Sequence, residues 1–250
     1  MKCIILCGGK GMRMGGLTST IPKPLVDVKG ESLILHIMKL YHKYGINDFI
    51  LPLGYKGDVI KEYFVNLSWR GNDFHLSMRD NTINIYGHKY DFNIYFIDTG
   101  VASQTGYRIN QCKALVGNER FLLTYGDGLS NVNIHKLISY HEEKNRIVTV
   151  TGINKKSQFG ALRINNGIAT SFEEKGSSRE IINGGFFCCE PQIFDYLDQS
   201  EQCVFESEPV TKLVENNQLA VYFHDGFWVS IDTQKDLFDV NAMQENLWEK

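Results

Sequence analysis

The chain has 250 residues, 43% hydrophobic and 22% charged, enough for one large α/β domain or two small ones around a substantial core. Its formal net charge of −3, without long runs of like charge, excludes the basic face expected of a nucleic-acid binder. The apolar run after Met1 turns at Gly8-Gly9, too short for a signal peptide or a membrane span, which implies a cytoplasmic protein with no membrane partner.

Short apolar β-rich runs alternate with segments of helical period, the rhythm of a mostly parallel sheet covered by helices. Strands are expected at Lys2–Cys7, Asp48–Leu53, Asn93–Ile97, Arg120–Tyr125, Ile147–Gly152 and Leu219–His224. Shorter pieces at Ala161–Ile164, Ala169–Glu174 and Gly185–Cys189 make the sheet mixed in its second half. Helices are expected at Ser32–Tyr44, Asp58–Asn66, Gln104–Leu115, Asn133–Lys144, Pro191–Leu197, Pro209–Glu215 and Gln234–Trp248. In the first, Ile34, Ile37, Met38 and Tyr41 share a stripe and Gly45 closes the end. Asn133 and Thr233 suit N-caps, the latter with Asp236 three residues on. Between about 70 and 92 the period changes to two, around a turn at Arg79–Thr82, which marks a hairpin outside the βαβ rhythm. The expected fold is therefore α/β, a Rossmann-like, mostly parallel sheet flanked by helices, with an added β-hairpin and a C-terminal elaboration. Residues 1–250 read as one domain, without repeat or linker.

The six cysteines form no CxxC pair and no spacing with histidine that suits a metal; they read as reduced, packed thiols, with Cys3 and Cys7 on one side of the first strand. The seven histidines are scattered, so no zinc-type cluster competes for the site.

Gly8-Gly9-Lys10-Gly11-Met12-Arg13 follows the first strand directly. Glycines there let backbone N–H groups approach an anion, although a plain tight turn has the same composition. The loop fits neither the dinucleotide fingerprint nor the Walker pattern. Arg13, and Lys23 fixed between Pro22 and Pro24, add two cations to the amides, a set suited to a triphosphate whose leaving pyrophosphate must be neutralised. Asp127 ends an apolar strand between Gly126 and Gly128, where ligands bind in parallel α/β sheets; the plainer reading is a turn aspartate. Asp232 follows another β-like run, where an ordinary capping role is the competing reading. Together the two carboxylates could hold one Mg²⁺.

These segments, with Glu174-Lys175, Asn183-Gly184-Gly185-Phe186-Phe187 and Asp232-Thr233, occur in the order seen in sugar-phosphate nucleotidyltransferases, and within them the chain resembles the cytidylyltransferases along nearly its whole length. The resemblance implies a Rossmann-like homo-oligomer that joins CTP to a phosphorylated small molecule, a sugar 1-phosphate and glucose 1-phosphate in particular. It implies that Gly8, Gly9, Gly11, Met12 and Arg13 hold the triphosphate, with Arg13 and Lys23 at the reacting phosphorus. Thr105 and Gly106 would lie near base and ribose, with Arg108 close by. Asp127 and Asp232 would carry Mg²⁺, Lys175 the acceptor phosphate, and Glu174, Asn183 and Gly184 its hydroxyls, within an acceptor region at about 150–250.

The chain departs from that pattern at Met12, Tyr107, Gln158, Gly176 and the Ser230-Ile231 pair. Tyr107 in place of a glycine is expected to reshape the acceptor pocket. Alternatives are UTP or dTTP as donor, another phosphorylated acceptor, or a non-catalytic nucleotide-binding relative. An oxidoreductase is disfavoured by the missing dinucleotide fingerprint.

Overall fold

The computed structural model describes all residues except 71, 88–89, 157–160, 166–167, 174–178 and 250; at 12, 17, 155–156, 161–165, 168–173 and 179–180 it describes the backbone alone. The chain begins with strand β1 (Lys2–Leu6), passes a 3₁₀ turn and the short α1 (Leu17–Thr20), then β2 (Asp27–Val28) and β3 (Glu31–Ser32), and enters α2 (Leu33–His42). β4 (Asp48–Leu53), α3 (Gly57–Arg70), a hairpin of β5 (Asp73–Ser77) and β6 (Thr82–Tyr86), and β7 (Asn93–Asp98) follow. Next come α4 (Thr105–Gln111), α5 (Lys113–Val116), β8 (Phe121–Tyr125), β9 (Gly128–Ser130) and α6 (Ile134–Lys144). The second half holds β10 (Val148–Lys156), β11 (Ala161–Asn165), β12 (Ile168–Glu173), β13 (Arg179–Cys189), α7 (Glu208–Glu215), β14 (Leu219–His224), β15 (Trp228–Ser230) and α8 (Gln234–Ala242).

Seven strands form the central sheet in the order β14-β10-β13-β8-β1-β4-β7. β13 alone runs antiparallel to its two neighbours, so the sheet is mixed and mostly parallel. Alternation along the strands sends Cys3, Ile5 and Cys7 to one face and Ile4 and Leu6 to the other, where two separate cores form. Both faces are covered, which is why the strands read as continuous apolar runs. Full burial of Phe49 on one side and Phe121 on the other contributes about 2–3 kcal/mol each.

The expected elements are found with local differences. The helix expected over Gln104–Leu115 is two helices divided at Cys112, whose N–H bonds back to Ile109 in a tighter turn. The segment at Pro191–Tyr196 is 3₁₀ rather than α. α8 stops at Ala242, because Met243 is extended (φ −61°, ψ 139°); a later 3₁₀ turn then buries Trp248, whose Nε1 donates to His36 Nδ1 at 3.1 Å. β13 extends well beyond Gly185–Cys189 and contains Asn183 and Gly184. Both proposed caps form: Asn133 Oδ1 accepts from the Lys136 N–H, and Thr233 with Asp236 makes a full capping box. The hairpin at 73–86 leaves Phe74, Leu76, Met78 and Ile83 exposed.

Candidate active site

The carboxyl ends of β1 and β8 lie side by side, because the two strands pair in parallel with Leu6 opposite Tyr125. Beyond β1 comes the glycine loop, and beyond β8 comes Asp127. Gly126 is required at that exit: a Cβ there would lie 2.9 Å from the Leu6 carbonyl oxygen, which accepts the Gly126 N–H at 3.1 Å.

In the loop, Gly11 adopts φ +60°, which favours glycine, and its carbonyl accepts from the Met14 N–H and the Thr18 hydroxyl, both at 3.0 Å. Gly8 has a different constraint. The buried guanidinium of Arg108 rises against it and donates to its carbonyl oxygen at 3.2 Å, to the Leu53 carbonyl at 2.9 Å, and to the Thr99 hydroxyl. A Cβ on Gly8 would lie 2.1 Å from Arg108 Cζ, and one on Gly54 2.5 Å from Nη1. Burial pulls the guanidinium below its usual pKa, countered by the charge of Asp98. Arg108 thus lines the cleft while bracing the loop from beneath.

Lys23 opens a 3₁₀ turn after Pro22 (φ −64°, ψ 144°), and Pro24 behind it is buried. With its backbone fixed on both sides, Lys23 reaches inward; its side chain is only 11% exposed. Its Nζ donates to Asp127 Oδ2 and Asp232 Oδ1, each at 2.8 Å. Arg13 Nη2 lies 3.1 Å from the same Asp232 oxygen. The two aspartates meet because β9 and β15 pair antiparallel, with Gly128 opposite Ser230, and the Ile231 N–H donates to the Asp127 carbonyl at 2.9 Å. Burial opposes ionisation of Asp232, but hydrogen bonds from Lys23 and Ser230 and the charge of Arg13 outweigh it and hold the carboxyl below its usual range. The Asp232 N–H is itself accepted by Asp236 Oδ2 at 3.1 Å, so the cap of α8 also sets the aspartate's backbone.

Two clefts open on this centre. The first, about 680 Å³, is bounded by Gly8–Gly11, Lys23, Ser103–Thr105 and Arg108. The second, about 390 Å³, is bounded by Asn183–Phe186, Trp228 and Glu206. Arg13, Tyr125, Asp127 and Asp232 line both. In the second cleft, the Gly184 carbonyl accepts Trp228 Nε1 at 2.7 Å, and Gly185 (φ +79°) lies so close to the Tyr125 ring that a Cβ would sit 2.6 Å from it.

The fold therefore gathers Gly8, Gly9, Gly11, Arg13, Lys23, Thr105, Arg108, Asp127 and Asp232 at the first cleft, and Asn183 and Gly184 at the second. It does not bring Gly106 or Tyr107 to either. The Gly106 N–H donates to the Cys203 carbonyl at 2.9 Å beneath α4, and Tyr107 packs against the core on the Ile4 face. Tyr107 is half-buried there and lines neither cleft. Met12 stands in the 3₁₀ turn of the loop; its side chain, and Glu174, Lys175, Gln158 and Gly176, lie outside the described residues. Ser230, one of the departures from the family pattern, donates its hydroxyl to Asp232 Oδ2 at 2.9 Å. Sequence reasoning marked Ser230 only as a departure and missed Glu206, which stands in no pattern that marks it.

Two carboxylate oxygens that both reach one ammonium at 2.8 Å converge on a single cation position, and a divalent cation completed by phosphate oxygens and water fits such a pair. Among the described residues no group of three or more His, Cys, Asp or Glu could hold a metal. Cys7 lines the first cleft, but burial and the charge of Asp127 push its thiol up, against Arg108, so it stays protonated. Among the described residues, the centre offers cations, amides and carboxylates and no activated nucleophile on its floor.

An α/β sheet with such a centre at its strand ends belongs to the phosphate-handling enzymes. The chain belongs to the nucleotidyl transferase family, which it matches over residues 2–246. It is 51% identical over 243 residues to a probable glucose-1-phosphate cytidylyltransferase of Bacillus subtilis, covering 97% of this chain and 96% of the relative. It is 38% identical over 253 residues to the glucose-1-phosphate cytidylyltransferase of Salmonella typhimurium, covering 100% and 96%. Among solved structures it is similar to HddC from Yersinia pseudotuberculosis, with a TM-score of 0.70 at 20% identity, covering 96% of this chain and 97% of that one.

Proposed function

We propose that the enzyme condenses CTP with glucose 1-phosphate, using Mg²⁺, to give a CDP-sugar and pyrophosphate. The meeting of two clefts at one charged centre carries this reading: a donor and an acceptor each have a space, and both spaces end at Arg13, Asp127 and Asp232. The names of the two relatives above supply the base and the sugar.

The acceptor's phosphate is itself the nucleophile. A phosphate monoester has its second pKa near ~6 and is mostly dianionic at neutral pH, so attack on the α-phosphorus needs no general base. The work left to the protein is alignment and neutralisation of charge. The loop amides and Arg13 would grip the triphosphate, and Lys23 would face the reacting phosphorus. Asp127 and Asp232 would hold Mg²⁺, which when bound neutralises the polyphosphate and its leaving group. Lys23 satisfies both carboxylates, and with a cation held by the aspartates its ammonium would be available to the phosphate.

The homo-oligomer belongs to the same reading: the exposed apolar face of the hairpin suits contact with a second copy. All six cysteines are free and buried, in keeping with a reducing cytoplasm. Among the described residues, no helix is long and apolar enough to cross a membrane.

The test is pyrophosphate release with Mg²⁺, with the four common nucleoside triphosphates against a panel of sugar 1-phosphates. Preferred turnover of CTP with glucose 1-phosphate supports the proposal; turnover confined to another pair reassigns the substrates.

A further inference from the structure

We propose that Glu206 selects and orients the acceptor by receiving its hydroxyl groups, and that its bond to Thr105 ties this selection to the nucleotide cleft. The inference rests on the reading of the second cleft as the acceptor site.

Glu206 follows the fully buried Phe205 and precedes α7, so its side chain projects from an anchored segment into the second cleft. Its carboxylate is fixed at both oxygens. Tyr125 donates its hydroxyl to Oε1 at 2.6 Å, and Thr105 donates to Oε2 at 2.6 Å. The direction of each bond is determined by what the hydroxyl oxygens receive. The Tyr125 oxygen accepts from Asn183 Nδ2 at 3.3 Å, and the Thr105 oxygen accepts the Phe205 N–H at 2.9 Å. Burial and the Glu206 charge both push the Tyr125 hydroxyl up, which keeps its proton in place for donation. Two hydroxyls thus hold the carboxylate while one lone pair on each of its oxygens remains for a ligand.

The free lone pairs define the ligand chemistry. Among the described residues, no lysine, arginine or histidine pairs with Glu206. An unneutralised carboxylate repels a phosphate and welcomes O–H donors, with which it forms short, strong hydrogen bonds. Among the described residues, the cation that lines the second cleft is Arg13, by the aspartate pair. The cleft is therefore polarised, with a phosphate directed to Arg13 and hydroxyls to Glu206. Such polarity orients a sugar phosphate with its phosphate towards the reacting centre.

The same residue joins the clefts mechanically. Thr105 lines the first cleft, and the strip before Glu206 is laced to the first turn of α4: the Gln104 N–H donates to the Glu201 carbonyl at 2.8 Å, and the Gly106 N–H to Cys203. Filling the nucleotide cleft against Thr105 fixes the strip that carries Glu206.

The experiment uses Glu206→Gln in the full chain, with KM and kcat measured for CTP and for glucose 1-phosphate and its monodeoxy analogues. Losing one charged hydrogen bond is expected to raise the acceptor KM by about tenfold or more, with the CTP KM changed less than about twofold. The deoxy analogue lacking the contacted hydroxyl should lose a similar factor on the native chain and little further on the variant. A merely structural role would not produce that pairing. Tyr125→Phe, which removes one anchor and keeps the charge, should raise the acceptor KM by a smaller factor and serves if Glu206→Gln does not fold. An unchanged acceptor KM, or deoxy analogues that lose equally on both chains, overturns the inference. Absence of turnover by the native chain with any sugar 1-phosphate overturns the proposed function instead.

Discussion

Arg108 donates to the carbonyl of Gly8 at 3.2 Å from below the phosphate-side loop, and the bare Cα of Gly8 is what makes room for it. A methyl group there must displace a buried guanidinium that satisfies three acceptors. Gly8→Ala is therefore expected to cost about 2 kcal/mol or more, the penalty of leaving buried polar groups unpaired. In the double variant with Arg108→Ala, the combined loss should fall short of the sum. Urea midpoints check both; wild-type stability for Gly8→Ala would show that the loop yields without cost.

Asp127→Asn and Asp232→Asn should each lower turnover by at least about a hundredfold, the scale on which removal of one preorganised electrostatic group acts. Stability should move by less than about 1 kcal/mol, because each side chain is partly exposed and Lys23 keeps the other partner. Mn²⁺ binding followed by electron paramagnetic resonance separates loss of the cation from loss of alignment, and retained binding in either variant would remove that aspartate from the cation site.

Asp236 Oδ2 accepts the Asp232 N–H at 3.1 Å, the Thr233 N–H at 2.7 Å and the Thr233 hydroxyl at 2.8 Å. Asp236→Ala should cost about 1 kcal/mol through the lost cap. It should also weaken divalent-cation binding, although Asp236 lines neither cleft. Thermal melts and a cation titration on one preparation measure the two effects; a stability loss without an affinity loss would confine Asp236 to the helix.

His141 is buried, with Nδ1 2.8 Å from the Thr149 hydroxyl and Nε2 3.1 Å from Glu190 Oε1. Burial holds its pKa below the ordinary 6.5, despite Glu190. Glu190 is also held low: burial opposes its ionisation, but bonds from Arg120 and His141 outweigh that. Since His141 is neutral near pH 7, Arg120 at 2.7 Å is the partner that chiefly keeps Glu190 ionised. For both groups the unfolded chain binds more protons, so stability falls on acidification. The His141 contribution is present above pH 6.5 and lost as pH falls towards its folded value; the Glu190 contribution goes below 4.5. The melting temperature should decline below pH 6.5, and His141→Gln should flatten the first part of the decline.

The hairpin face gives a prediction of assembly. Met78 is 82% exposed and Leu76 43% exposed. Replacing both with Glu should shift the solution mass to a smaller species by light scattering, with the melting temperature kept. An unchanged mass would take the hairpin out of any self-contact, and a native mass of one chain would overturn the proposed homo-oligomer.

Much of this centre was legible in the sequence because its chemistry is local. Glycines after a strand, a lysine between prolines and an acid between glycines announce their backbone geometry within a few residues. The bracing of Gly8 by Arg108 was not, because Leu53, Thr99 and Gly8 reach the guanidinium only through the folding of three separate segments. Glu206 precedes a helix that carries Glu208 in its first turn, so it reads as ordinary helix-start charge. Tyr107 is assigned to a pocket by resemblance alone, and its position on α4, half-buried against the core, is a property of the helix's rotation that no local pattern states. The three-residue pair of β9 and β15 is too short for periodicity to reveal, yet it brings the two aspartates together.

The bonds from Lys23 to Asp127 and Asp232 span 104 and 209 residues. Closing loops of that length is entropically costly and slow. On the ribosome, the clasp cannot shut until the strand bearing Trp228–Ser230 has emerged, long after the first strands are free to pair. The active centre is therefore among the last parts of the molecule to assemble, and a nucleotide that grips it rewards only chains that have finished folding.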